Sequence, residues 1–227
     1  MSHFTTLVLV EKKNQTEEEI LNEVEKLLEP FDENLEVDPY TTECACIGNK
    51  AYNEAFEYTN SVKHIDEYRK EYWQLPPEER PKWKDFISDF EQILEEKMKN
   101  HPLYRKPDPD CSRCNGTGKY ETTYNPNSKW DWWEIGGRWD GKLMDGSRSF
   151  FDTSLLERNM RSTEELLDSS YVPFAILTPD GHWFERGEML WFAIVRNEKD
   201  PEEWEKEYRD VLKEHPNHWA VLCDLHI

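Results

Sequence analysis

Two close cysteine pairs, Cys44-x-Cys46 and Cys111-x-x-Cys114, hold four of the five cysteines in this 227-residue chain. Both spacings are those of metal ligands, because a thiolate pair two or three residues apart converges on one ion without straining the backbone. The second pair runs into Asn115-Gly116-Thr117-Gly118, where glycines let backbone amides turn toward sulfur. Tetrahedral zinc needs four ligands, so Cys44, Cys46, Cys111 and Cys114 are expected to form one closed, structural zinc site. Free thiols are the alternative, and His101 in place of one cysteine is a variant of the site.

Trp130-Asp131-Trp132-Trp133-Glu134-Ile135-Gly136-Gly137-Arg138-Trp139 alternates rings with charges, then offers two glycines and an arginine. Indole faces stack on a base or cap a cation, and a guanidinium forks onto carboxylate or phosphate. The expectation is a ligand pocket formed by Trp130, Trp132, Trp133, Glu134, Gly136, Gly137, Arg138 and Trp139. Glu185, Arg186 and Glu188 would complete it if their turn lies opposite, and the ligand would be small, aromatic or anionic, such as a nucleotide. The competing reading is an aromatic mini-core that packs an insertion onto a sheet. A third group is His3, Asp224 and His226. Asp224 and His226 share a strand face, and a trio of this kind at a sheet end can bind metal or move protons. Histidines and a carboxylate at frayed termini are the plainer alternative.

Composition narrows the partners. Acidic residues number 48 against 28 basic ones, a formal charge of −20, which repels phosphate backbones and anionic membranes. General nucleic-acid binding is therefore not expected; an acidic inhibitor of a host protein is, as an alternative function. No run is apolar enough to span a bilayer, and Met1–Val10 has no signal-peptide pattern, so a cytoplasmic location is expected. The hydrophobic fraction is only 37%, but 13% aromatic residues argue for a packed core. No Walker A, dinucleotide fingerprint, nucleophile elbow or HExxH sequence is present.

The elements that must position these groups follow from periodicity. Phe4–Val10 reads as a strand, and Thr16 with Glu19 caps a helix to about Leu28. Helices are expected from Lys50 to Trp73 and from Pro81 to Met98, paired as a hairpin that brings the cysteine pairs together. Ser162 with Glu165 marks a short helix. Val172–Thr178 and His182–Arg186 flank a Pro-Asp-Gly turn as a hairpin, and Leu190–Val195 reads as a further strand. Pro201 opens an amphipathic helix, and Trp219–Ile227 closes the chain as a strand. The fold class is therefore α+β: a ferredoxin-like β-α-β-β-α-β core from 1–38 and 171–227, an antiparallel sheet with both helices on one face, and a zinc-stapled, mostly helical insertion at 39–170.

Several segments together resemble an uncharacterised family found mainly in bacteriophage genomes. They are MSHFTTLVLV at the start, PFDENLEVDPY at 30–40, the CxxCxGTG at Cys111, NPNSKWDWWEIGGRW at 125–139, TPDGHWFERGEM at 178–189 and the terminal DLHI. The resemblance implies a phage-encoded accessory protein acting in the host cytoplasm, and assigns no activity to particular residues. Whether the chain is an enzyme stays open at this stage, with His3, Asp224 and His226 as the catalytic candidates.

Overall fold

The computed structural model describes residues 2–144, 146, 149–190 and 194–227. In chain order the strands are β1 (His3–Glu11), β2 (Tyr40–Glu43), β3 (Lys119–Thr122), β4 (Trp132–Ile135), β5 (Met160–Ser162), β6 (Ala175–Leu177), β7 (Trp183–Glu185), β8 (Glu188–Met189), β9 (Val195–Arg196) and β10 (His218–His226). The helices are α1 (Glu17–Leu28), α2 (Asn49–Lys63), α3 (Ile65–Gln74), α4 (Trp83–Phe86), α5 (Ser88–Lys99), α6 (Leu155–Arg158), α7 (Thr163–Leu167) and α8 (Pro201–Glu214). The chain is thus α+β, in two compact units: residues 1–37 with 124–227, and residues 38–123. The Trp-rich segment belongs with the sheet, so the separate unit ends at Thr123 instead of extending to 170.

In the sheet unit the strand order is β4-β10-β1-β6-β7, with β5 also pairing with β10. β1 and β10 are antiparallel neighbours with His3 opposite His226, as the ferredoxin-like reading requires. The strand order and the placement of the helices on one face do not hold. β1 pairs parallel with β6, so the sheet is mixed, and β6 lies directly beside β1 where a split βαβ unit would place another strand between them.

The helices also occupy opposite faces. Phe4, Val8 and Val10 of β1 pack with Val221, Cys223 and Leu225 of β10 against Ile20, Val24 and Leu28 of α1. The alternate residues Leu7, Leu9, Ala220 and Leu222 pack against Trp204, Tyr208, Val211 and Leu212 of α8. Side chains in a strand alternate faces, so a strand apolar at nearly every position must be covered on both. LVLV in β1 and AVLC in β10 are such runs, and two covering helices follow from them.

The local signals were informative. Thr16–Glu19 and Ser162–Glu165 are complete capping boxes, Asp200 caps α8, and Pro201 occupies its first turn. β6 and β7 form the expected hairpin, closed at Gly181 with φ +84°. Of the expected strand Leu190–Val195, residues 191–193 lie outside the described residues; Val195 pairs with Met189 in a small separate ribbon.

The unit at 38–123 contains the helical hairpin, with α2 packed on α5. The expected 50–73 helix is broken at His64, which adopts a left-handed conformation with φ +45° while the Asn60 side chain accepts the Ile65 amide. The second helix begins at Trp83 and is interrupted at Ile87, so Pro81 precedes the helix instead of opening its first turn. Its buried core is small: Ile65, Ile87 and Phe90, flanked by Phe56, Tyr68, Trp83, Phe86 and Leu94.

Candidate functional site

The cysteine pairs meet because β2 and β3 form a two-stranded ribbon, Tyr40 opposite Thr122 and Glu43 opposite Lys119. Cys44 directly follows β2, and its amide donates to the Gly118 carbonyl at 2.9 Å. On the other side, Asn115, Gly116 and Gly118 all take positive φ, which turns the chain tightly around Cys114. The result is four Sγ atoms within 4.8 Å of one another, with Cys44–Cys111 at 3.7 Å and Cys46–Cys114 at 3.5 Å. Four thiolates on a tetrahedral ion with Zn–S bonds of about 2.3 Å would stand about 3.8 Å apart. The four cysteines therefore fit a metal ion.

Cys44 and Cys114 are buried, and Cys46 and Cys111 are half-buried. Burial opposes ionisation of Cys114, but the Gly118 amide donates to its sulfur at 3.3 Å and the neighbouring thiols assist, holding it down at about 7. Burial, together with the same thiol neighbours, pushes Cys46 up to about 12. His101 is not a ligand; it pairs with Glu54 at 2.9 Å.

The second constellation lies at one end of the large sheet. His3 Nδ1 sits 2.8 Å from Asp224 Oδ1, and His226 Nδ1 sits 2.5 Å from Asp131 Oδ1. The two imidazoles are cross-strand partners and meet edge to face, with centroids 4.9 Å apart. Asp224 is fully buried, and its other oxygen accepts the Arg138 amide at 2.9 Å. Trp132, opposite His226 on β4, brings its ring to 6.1 Å from that of His3 and is 46% exposed. The histidine trio and part of the Trp-Gly-Arg motif, which look unrelated in sequence, are therefore one site.

The four tryptophans do not share one pocket, although Trp130 and Trp133 line the same cavity beside α1. Trp130 is buried and donates its indole N–H to the Leu28 carbonyl. Trp133 packs on the α1 side of the sheet, and Trp139 on the α8 side. Glu134 pairs in register with Asp224 and is exposed. The two glycines serve the protein's own packing. A Cβ on Gly136 would lie 2.5 Å from the Asn159 side chain, and one on Gly137, where φ is +50°, would fall inside the Asp224 carboxylate.

Glu185 binds Lys129 at 2.7 Å and the Trp183 indole at 2.8 Å. Arg186 lies over the Phe174 ring and pairs with Glu198, while Glu188 begins β8. With β10, β1 and β6 between β4 and β7, these three residues are not brought to Trp132 or Arg138. At about 4.8 Å per strand the edges are roughly 19 Å apart.

Residues outside the expected set complete the site. Asp131 holds His226. Beneath the Gly-Gly-Arg turn, Arg158 grips Asp140 with two hydrogen bonds of 2.7 and 2.9 Å, and the buried Asn159 donates to Asp140 and accepts from Gly141. Arg158, with Asn159 behind it, holds the Asp140 carboxyl below the usual carboxylate range. Asp131 had a signal, its place between two tryptophans of the motif; Asp140, Arg158 and Asn159 had none without the sheet register. Among the described residues no helix is long and apolar enough to cross a membrane. Comparison with protein-family models, with curated proteins and with solved structures returned no match.

Proposed function

We propose that the sheet end carrying His3, Trp132, Arg138 and His226 binds a small ligand with an aromatic ring and a negative charge, of the nucleotide type. The four cysteines, in this reading, hold a structural zinc ion that fastens the 38–123 unit. The observation that carries the ligand reading is the exposed Trp132 ring beside two carboxylate-held histidines, next to an arginine whose side chain has no ion pair among the described residues. A large exposed ring at a polar site offers a stacking face, and the Arg138 guanidinium supplies donors for an anion on a chain that is otherwise strongly acidic. Zinc follows from the ligand set: four soft thiolates in a closed tetrahedron suit it and leave no open catalytic position.

Titration with a panel of nucleoside monophosphates, followed by tryptophan fluorescence, tests the first part. Quenching that is lost in Trp132→Ala and weakened in Arg138→Ala is the expected result; silence across the panel sinks it. Elemental analysis tests the second, with about one zinc per chain in the native protein and a loss in Cys111→Ser. A folded 38–123 unit free of metal would refute the staple.

A further inference from the structure

The two His-Asp dyads are built alike, but only one is arranged to act on a ligand. The buried Asp224 accepts a hydrogen bond from His3 through one oxygen and from the Arg138 amide through the other. Gly137 leaves the carboxylate its space, since any Cβ there would collide with it. Burying a carboxylate is unfavourable unless its donors are in place, so much of this loop's construction goes to holding Asp224 against one imidazole nitrogen. A carboxylate can only accept, so Nδ1 of His3 carries the proton and Nε2 presents a lone pair when the ring is neutral. No described residue hydrogen-bonds to that Nε2.

His226 has a different part. Its Nδ1 is tied to Asp131, its Nε2 is buried without a partner, and its ring meets His3 edge to face. It fixes the plane of His3 and is a positioning residue.

We propose that His3 is the general base of a phosphodiesterase reaction on the ligand that stacks on Trp132, an inference that rests on the ligand reading above. His3 Nε2 takes a proton from a water molecule as the oxygen's electron pair forms the new bond to phosphorus. The bond from phosphorus to the leaving oxygen breaks on the side opposite the incoming water, that oxygen takes a proton from solvent, and the imidazolium releases its own proton to solvent. One water is consumed, a phosphomonoester and an alcohol are released, and His3 is neutral again. Arg138, anchored by its amide to the same carboxylate, is the cation available for the charge on the phosphoryl oxygens. A positioned general base contributes about 10²–10⁴-fold to rate.

The test uses the full chain and the 4-nitrophenyl ester of thymidine 5′-monophosphate, which offers a base to stack, a phosphodiester and a coloured leaving group. Tryptophan quenching reads binding, and release of 4-nitrophenolate reads turnover. Release by the native protein is expected, reduced at least 10²-fold in His3→Gln when each protein is held at a concentration that saturates its quenching, and partly restored to His3→Ala by free imidazole. Quenching without release, release that His3→Gln does not alter, or a loss that imidazole fails to restore overturns the catalytic role and leaves the ligand reading standing. Absence of quenching removes both.

Discussion

The cysteine unit and the sheet unit hold their chemistry in place by opposite means. Around the cysteines the positioning structure is a ribbon of two four-residue strands and a glycine turn, and the helical segment behind it buries few apolar side chains: Ala51, Ala55, Ile65, Ile87 and Phe90. Around His3 the positioning structure is the end of two central strands, β1 and β10, that bury side chains on both faces of the sheet. If the cysteines hold zinc as proposed, that site helps to hold its fold together, whereas the other rests on a sheet with its own buried core. A small core gives only a few kcal/mol of stability, so a unit built this way leans on a metal or another cross-link.

Removing the metal is the harshest way to break that contrast. Apparent binding free energies of structural zinc sites are about 10–16 kcal/mol, as large as the whole stability of an ordinary domain. Chelation, or Cys111→Ser, is expected to unfold residues 38–123 and spare the sheet. Hydrogen exchange read by mass spectrometry checks this, with protection lost in α2 and α5 and kept in β1 and β10. Protected helices in the metal-free protein would show that the unit carries itself.

The converse experiment strikes the sheet. Leu222→Ala removes a fully buried side chain between β10 and α8 and is expected to cost about 2–5 kcal/mol. Denaturant unfolding followed through the sheet unit would read the loss, while zinc content stays at about one per chain. A fall in metal content would show that the two units do not stand independently.

The same contrast explains what could be read before the fold was known. Cys111-x-x-Cys114 with its glycines is legible because two thiols on one turn are a local feature, although their meeting with Cys44 and Cys46 depends on the β2–β3 pairing. Capping residues and the Pro-Asp-Gly hairpin are legible for the same reason. The site at the sheet end is not local. His3 and Asp224 lie at opposite ends of the chain and meet only through the β1–β10 register, and Trp132 joins them only because β4 pairs with β10. The Gly136-Gly137 pair reads in sequence as room for a ligand, whereas Asn159 and Asp224 fill that room. Helix placement failed for a similar reason. An element order of β-α-β-β-α-β does not say which face each helix covers, although the unbroken apolar runs of β1 and β10 already required both.

Gly137→Ala probes the sheet site without replacing any of its titratable groups. It forces an alanine into a left-handed backbone, about 1–2 kcal/mol, and pushes a methyl group into the Asp224 carboxylate, for an expected total of about 3 kcal/mol. Nitrogen NMR shifts of the His3 ring are expected to move with the carboxylate, while the cysteine unit keeps its exchange protection. A stable variant with an unchanged His3 ring would mean that the glycine is dispensable and that Asp224 is less tightly placed than the geometry implies.

The smallest expected effect is a pH response confined to the sheet unit. The Arg158 guanidinium, followed by Asn159, holds Asp140 below its unfolded value of about 3.9. A carboxyl depressed on folding contributes stability that is complete above its unfolded pKa and is lost as pH falls through the lower folded value. Asp140→Asn is therefore expected to lower stability by about 2 kcal/mol at neutral pH, the scale of a charge-assisted hydrogen bond, with the difference from the native protein shrinking below about pH 4. Denaturation midpoints measured from pH 7 to pH 3 give the curve for both proteins. A gap that stays constant over that range would show that Asp140 acts there through packing and not through charge, and that the bracket beneath the Gly-Gly-Arg turn holds the loop without an ionised carboxylate.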